Sequence, residues 1–400
     1  YSSLQERINK RNIELTMMHE MGHALAFTRL IRNLFEKKIA TVDGLKYFIG
    51  SNSAQVFGDG KSQRPIRLES TGFHFQVADS LMNMPLYYST LMEFELAAMI
   101  DSGYNDIKLR DFYGRSIFTD NNTGTGQIIN TTGYSKLNSQ GQYTSQANEN
   151  TYGIGLHVFG KNNTVIQRGN ILTSGTAAVG IRNDGENNTL VVSPGIVVSS
   201  TGHDGVGILL VNSMGTKLDI NGTVKGKGAS IYFNTGSRYT LNVMKGAHIE
   251  GDIVTSAKST GTITFGTKAD NLGRSIAGQA DSNFNFTLSG KILTPYAVTS
   301  MLGGTTTFLN RVESISVTVA EQAKLILSGN AVLDCNTLTN HGELTRADSA
   351  TVARDVQNNG KLIIAKNVDY TFPTKINGAG PMFKFGAGKL IIDKYSTRTG

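Results

Sequence analysis

The spacing of apolar residues along this chain changes character near residue 115. Before that point the period is helical. Leu4, Ile8, Leu15, Met18 and Leu25 recur at roughly helical spacing, and Ser2 and Ser3 precede Gln5 and Glu6 in the manner of a capping box. Residues 37–67 predict loops and short strands. Residues 90–102 predict a second helix, stopped by Gly103. After Arg115 the helical period is gone, and residues 121–150, rich in Asn, Gly, Thr, Ser and Gln, predict a lead-in or linker.

From Tyr152 onward the pattern repeats. Gly153-Ile154-Gly155-Leu156, Gly180-Ile181-Arg182, Gly207-Ile208-Leu209-Leu210 and Ser230-Ile231-Tyr232-Phe233 occupy equivalent places, with isoleucines 27, 27 and 23 residues apart. A second strand follows each time, in Thr164-Val165-Ile166, Thr189-Leu190-Val191-Val192, Lys217-Leu218-Asp219-Ile220 and Thr240-Leu241-Asn242-Val243. A third follows in Ile171-Leu172, Ile196-Val197-Val198 and His248-Ile249, with Gly and Asn at the corners, where positive φ is often needed. Three short strands per turn of about 25 residues is the period of a β-solenoid, whose inward Ile, Val and Leu stack into one core. The period loosens later, but strand cassettes recur at Lys324-Leu325-Ile326-Leu327, Lys361-Leu362-Ile363-Ile364 and Lys389-Leu390-Ile391-Ile392.

Composition adds limits. The 400 residues are 39% hydrophobic and 17% charged, enough for a core and for more than one domain. Cys335 is the only cysteine, so no intrachain disulfide can form, and a solenoid whose turns bury one another does not need one. The net charge of +7 is scattered, whereas nucleic-acid binding wants a basic stripe. No apolar run is long enough for a membrane-spanning helix. The chain opens at Tyr1 without an initiator Met or a signal sequence, which reads as a processed or partial polypeptide.

The chemistry lies in the first 104 residues. His19-Glu20-Met21-Gly22-His23 is an HExxH motif on the first predicted helix. Residues four apart share a helical face, so both imidazoles can bind one Zn2+, and Glu20 is placed to act as general base. Downstream stand Thr71-Gly72-Phe73-His74, then Ser80-Leu81-Met82-Asn83-Met84-Pro85, then the helical stretch beginning at Tyr87-Tyr88.

Taken in order, residues 12–105 resemble the metzincin zinc peptidases, with the long interval between His23 and His74 similar to the leishmanolysin-like branch. The resemblance implies a Zn2+ cofactor held by His19, His23 and His74. It further implies Glu20 as general base, Met82 as the Met-turn residue beneath the metal, and Tyr87 or Tyr88 as a candidate oxyanion partner. Residues 115–400 resemble bacterial autotransporter passengers by period and composition. The nearest motif match is Gly378-Ala379-Gly380 through Phe385-Gly386-Ala387-Gly388-Lys389-Leu390-Ile391-Ile392. That resemblance implies export and display at a bacterial cell surface or outer membrane, or release outside the cell. Its only membrane attachment would be a C-terminal barrel that this chain does not contain.

The fold expected is therefore mainly β: a right-handed parallel β-helix (β-solenoid) over residues 151–400, reached through residues 115–150. A small, mainly α metzincin-like segment over residues 1–114 precedes it. Two features depart from the metzincin pattern. Ala26 stands where metzincins carry the glycine that ends the active-site helix, so the turn must be made otherwise or the helix runs on. The twisted sheet that metzincins place upstream has no counterpart in the 18 residues before His19. His157, His203, His248 and His341 lack ligand spacing and are expected to face solvent, Cys335 to be an ordinary solenoid residue, and triplets such as Asn162-Asn163-Thr164 and Asn187-Asn188-Thr189 to be corners.

The leading functional expectation is a secreted zinc endopeptidase acting on a protein or peptide substrate, such as a host extracellular protein. The competing one is a non-catalytic adhesin or stalk with a degenerate protease-like head. A carbohydrate-active β-helix would need clustered acids on one face, and the repeats offer isolated Asp184, Asp204, Asp219 and Asp252.

Overall fold

A computed structural model describes residues 2–27, 34–58, 62–77, 80–83, 90–119, 127–129, 146–257, 259–372 and 374–392, without the side chains of residues 2–12, Glu14, Thr119 and 127–129. The sequence-predicted capping box at Ser2 and Ser3 thus lies outside the described side chains. Two compact units emerge, residues 1–120 with 156–160, and residues 121–155 with 161–400.

The second unit is a parallel β-solenoid, and the chain as a whole carries about 11 solenoid turns. Its registers are those the repeat implies. Ile208 pairs with Ile181 on one side and with Ile231 on the other. Leu190 pairs with Val165 and Leu218, and Leu218 with Leu241. Val198 and Val224 link Ile171 to Ile249 in the third ladder. Ile181, Ile208 and Ile231 are buried, each contributing roughly 1.5–3 kcal/mol by leaving water. The strand Thr223–Gly226, in the third ladder, has no counterpart among the sequence-predicted strands.

Corners are set by asparagine. Asn162, Asn187 and Asn212 hold φ of 58°, 54° and 46°, a region that asparagine tolerates better than most residues. Their neighbours form a buried polar spine. Asn163 Nδ2 donates to Asn188 Oδ1 (3.0 Å), Asn188 Nδ2 to Asn183 Oδ1 (3.0 Å), and Asn183 Nδ2 to Ser213 Oγ (2.7 Å). A one-residue slip of any turn would strand these amides, so the spine pins register.

The loosened period has a structural cause. Between Ile253 and its register partner Ile292 the chain makes an antiparallel hairpin from Thr260–Ala269 and Ser275–Ala280. Beyond it the ladder Leu325, Leu344, Leu362, Met382 continues. The cassette at Leu390–Ile392 does not belong to that ladder; it pairs with Tyr370–Phe372 in a separate two-stranded sheet. Cys335 is an inward solenoid residue opposite Ser314, and burial pushes its thiol up to about 12.

The first unit opens with helix α1 (Ser2–Leu25), followed by strands β1 (Ile39–Val42) and β2 (Leu45–Phe48), helix α2 (Ser51–Phe57), strand β3 (Ile66–Arg67) and helix α3 (Glu93–Asp101). The three strands form an antiparallel sheet in the order β1-β2-β3. β1 and β2 are joined by Asp43-Gly44, both at positive φ (51° and 75°), the sequence signature of a two-residue hairpin. The helix expected over residues 90–102 is α3. Residues 37–67 hold the expected strands but also α2, which was not anticipated. An aromatic core of Phe27, Phe35, Phe48, Phe75 and Phe94 binds these elements, with neighbouring ring centroids 4.6–6.2 Å apart.

One histidine expectation is overturned. His157 is buried, stacked on Tyr113 at 6.1 Å and against Phe159 at 4.9 Å, because its strand turns it onto the aromatic cluster of this unit rather than toward solvent. His203, His248 and His341 are exposed.

A candidate metal centre

α1 places His19 and His23 one turn apart on one face, with ring centroids 4.7 Å apart. His74 arrives from a different part of the unit. Beyond β3 the chain bridges Leu68 to Phe75 and folds the segment between them into a tight turn, with Glu69 N donating to His74 O at 3.0 Å and Gly72 at φ 90°. The next residue, Phe75, is sealed in the aromatic core and fixes the turn. His23 Nε2 consequently lies 3.1 Å from His19 Nε2 and 3.1 Å from His74 Nε2. Two ligands of one tetrahedral zinc are separated by about 3.3 Å when each Zn–N bond is about 2.0–2.1 Å. Among the described residues, His19, His23 and His74 are the one group of three or more His, Cys, Asp or Glu close enough to share an ion.

The outer nitrogens decide the chemistry of the inner ones. His19 Nδ1 lies 2.6 Å from Leu81 O, and His23 Nδ1 lies 3.0 Å from Phe27 O. A carbonyl oxygen only accepts, so both Nδ1 atoms carry the proton. In the neutral rings both Nε2 lone pairs then point into the same small volume. Protonating one Nε2 would relieve one contact at most. His74 resists that proton, because burial and then His23 and His19 push its pKa down, although Glu69 opposes them. Three imidazoles whose Nε2 atoms converge, two of them tied back at Nδ1 by carbonyl oxygens, fit a divalent cation better than any arrangement of protons.

Glu69, which spacing did not single out, supports His74. Its Oε1 lies 3.6 Å from His74 Nδ1, too long for a hydrogen bond but close for an ionic contact. Burial works against its charge. Hydrogen bonds from the Thr71 hydroxyl, Thr71 N and Phe73 N outweigh that and hold its carboxyl down at about 2.

Met82 is fully buried, and it packs against α1 between the two histidines. A β-carbon on Gly22 would stand 2.5 Å from Met82 Sδ, so the absent side chain of Gly22 makes room for the methionine. The turn carrying Met82 is clamped by Glu95 of α3. Glu95 Oε1 accepts from Ser80 Oγ (2.6 Å) and Met82 N (2.7 Å), and Oε2 from Met92 N (2.6 Å) and Leu81 N (3.3 Å). The carboxyl is completely buried, which pushes its pKa up to about 7 against those hydrogen bonds. Since Leu81 also supplies the carbonyl that orients His19, one buried acid places both the Met82 turn and one imidazole.

The departure at Ala26 is resolved. α1 ends at Leu25 without a left-handed residue at position 26. Ala26 N and Phe27 N both donate to Gly22 O at 3.0 Å, a widened last turn that sends Phe27 into the core and returns its carbonyl to His23. Glu20 is exposed on α1, about 100° around the helix from His19. Tyr87 and Tyr88 lie outside the described residues.

The acids of the solenoid are dispersed. Asp184 is paired with buried Arg182 (2.7 Å), Asp204 with His203 (3.0 Å) and Asp219 with Lys217 (3.2 Å), while Asp252 accepts from Lys291 N (2.8 Å). No protein-family model, curated protein or solved structure matches this chain.

Proposed function

We propose that the first unit is a zinc-dependent endopeptidase head of metzincin type. We read the second as an autotransporter-type passenger solenoid, displayed at a bacterial surface or released from it. The observation that carries this reading is the convergence of His19, His23 and His74 Nε2 above a fully buried Met82. The substrate class is protein or peptide, in keeping with the extracellular side of a cell, where a host protein would be met.

When bound, Zn2+ supplies Lewis acidity, polarising a carbonyl and making a neighbouring water easier to deprotonate. The chain's own groups do the rest. His19 and His23 hold their Nδ1 protons against Leu81 O and Phe27 O, which leaves their Nε2 lone pairs facing the site, and Glu69 lies 3.6 Å behind His74 Nδ1. Glu20, on the solvent side of α1, takes the proton from the attacking water and returns it to the leaving amine.

The test is zinc content of the purified chain beside His74→Ala, with a peptidase assay of Glu20→Gln. We expect about one zinc per chain, lost in His74→Ala, and a Glu20→Gln variant that keeps zinc but no longer cleaves. Unchanged cleavage by Glu20→Gln would remove that residue's role. A chain that never takes up zinc would leave the solenoid as an adhesin or stalk with an inert head.

A further inference from the structure

A second site lies in the solenoid, remote in sequence from the histidines. The strand Glu343–Ala347 alternates, so that Leu344 and position 346 face the core. The register partners of position 346 on either side are Leu327 and Ile364, both buried. Yet position 346 is an arginine, with no exposed surface. Its Nη2 donates to Ala350 O (2.7 Å) and to the Tyr370 hydroxyl (2.6 Å), while Nε and Nη1, equally buried, have no hydrogen-bond partner.

A second cation accompanies it. Lys366 is 5% exposed, and its Nζ donates to the carbonyls of Asp348 and Ala350. Arg346 and Lys366 therefore converge on one carbonyl, Ala350 O, and share the Tyr370 ring, whose centroid lies 4.8 Å from the guanidinium and 4.5 Å from the ammonium. Phe372 covers the guanidinium at 4.8 Å. Every acceptor these cations reach is neutral. The nearby Asp348 carboxylate accepts instead from Ser328 Oγ (2.5 Å) and Gly329 N (3.1 Å). Burial lowers the pKa of both cations; for Lys366 the neighbouring Arg346 lowers it further, while the Asp348 carboxylate opposes the shift.

We propose that Arg346 and Lys366 form an internal binding site for a small monovalent anion of the chloride class. An anion at the guanidinium accepts from Nε or from Nη1, whose N–H bonds point along different edges, and adds negative charge beside two buried cations whose neighbouring carboxylate, Asp348, is engaged by Ser328 and Gly329. Tyr370 accepts from Arg346, so its own hydroxyl proton is free to serve as a further donor. The Tyr370 and Phe372 rings lie against the guanidinium at 4.8 Å, and so apolar a setting favours a compact, weakly hydrated anion over a bulky or multivalent one. Arg346 lies on one strand of the ladder and Lys366 directly follows the next, Lys361–Ala365, so the ion would tie neighbouring turns together.

The test is thermal unfolding of the full chain, freed of chloride, in sodium chloride against sodium gluconate at matched ionic strength. The wild-type midpoint is expected to rise with chloride to a plateau, as mass action requires for one site. Arg346→Leu, which restores the residue type of its register partner Leu327, and Lys366→Met are each expected to lose that response. A wild-type midpoint that follows ionic strength alone overturns the proposal, as does either variant retaining the chloride response. Should Arg346→Leu fail to fold, Lys366→Met decides.

Discussion

Removing the Glu95 side chain should loosen the candidate metal centre from below. Glu95 accepts from three backbone amides and one hydroxyl, all on the Ser80–Met82 turn or at the start of α3. Glu95→Ala leaves those four donors buried without an acceptor. Each such group costs about 1–3 kcal/mol, and water entering the space left by the carboxyl recovers part of it, so the net loss should be about 3–5 kcal/mol. Because Leu81 O orients His19, zinc affinity should fall with stability. Glu95→Gln keeps the shape but turns an N–H toward at least one donor, so it should fall between wild type and Glu95→Ala. The carboxyl also carries a pH signature. Its folded pKa, about 7, lies above the ordinary 4.5. The folded state thus holds a proton that the unfolded chain releases, and this contribution is complete below pH 4.5 and lost as pH rises through 7. Its size is on the order of 3 kcal/mol at one pKa unit per 1.36 kcal/mol. The assay is amide hydrogen exchange at Leu81 and Met82 with zinc competition against a chromophoric chelator, in wild type, Glu95→Gln and Glu95→Ala. Unchanged protection and unchanged affinity in Glu95→Ala would refute the clamp.

Three further outcomes follow from the same geometry. Gly22→Ala gains about 1 kcal/mol of helix propensity but forces Met82 aside at about 1–3 kcal/mol, so apo stability should change little while zinc affinity drops, as isothermal titration would read. Asp101→Ala should cost about 1–2 kcal/mol and speed exchange at Asn52 and Ser53, whose amides the carboxylate caps at 3.0 and 2.9 Å. The Glu69 carboxyl, held down at about 2, stabilises the first unit above pH 4.5 and loses that contribution as pH falls toward 2; Glu69→Gln should flatten this part of an acid-unfolding curve.

Much of the solenoid was legible because its order is translational. Equivalent side chains recur wherever the backbone repeats, so Ile181, Ile208 and Ile231 announce their pairing by spacing alone, and Asn162 and Asn187 mark corners for the same reason. Legibility failed where the repeat was interrupted or reassigned. The hairpin after Thr260 displaced the period, and Leu390 joined Tyr370 rather than the ladder of Leu362. α2 was missed because its N-terminal cap comes from Asp101, 48 and 49 residues away, and Gly50 at its start has no capping side chain of its own.

The histidine cluster divides the same way. His19 and His23 share a face by helical geometry, which sequence alone determines, and an ordered motif named His74 and Met82 without placing them. Tertiary structure alone brought His74 Nε2 to 3.1 Å from His23 and set Leu81 O, Phe27 O and Glu69 behind the rings. It alone aimed Glu95 at the Met82 turn and turned His157 inward. The physical reason is range. A period or an i,i+4 spacing is a property of neighbouring backbone, carried by every helix or strand of that pattern. A buried carboxylate finds its donors only after several elements have packed and excluded water, and no local spacing records which donors those will be.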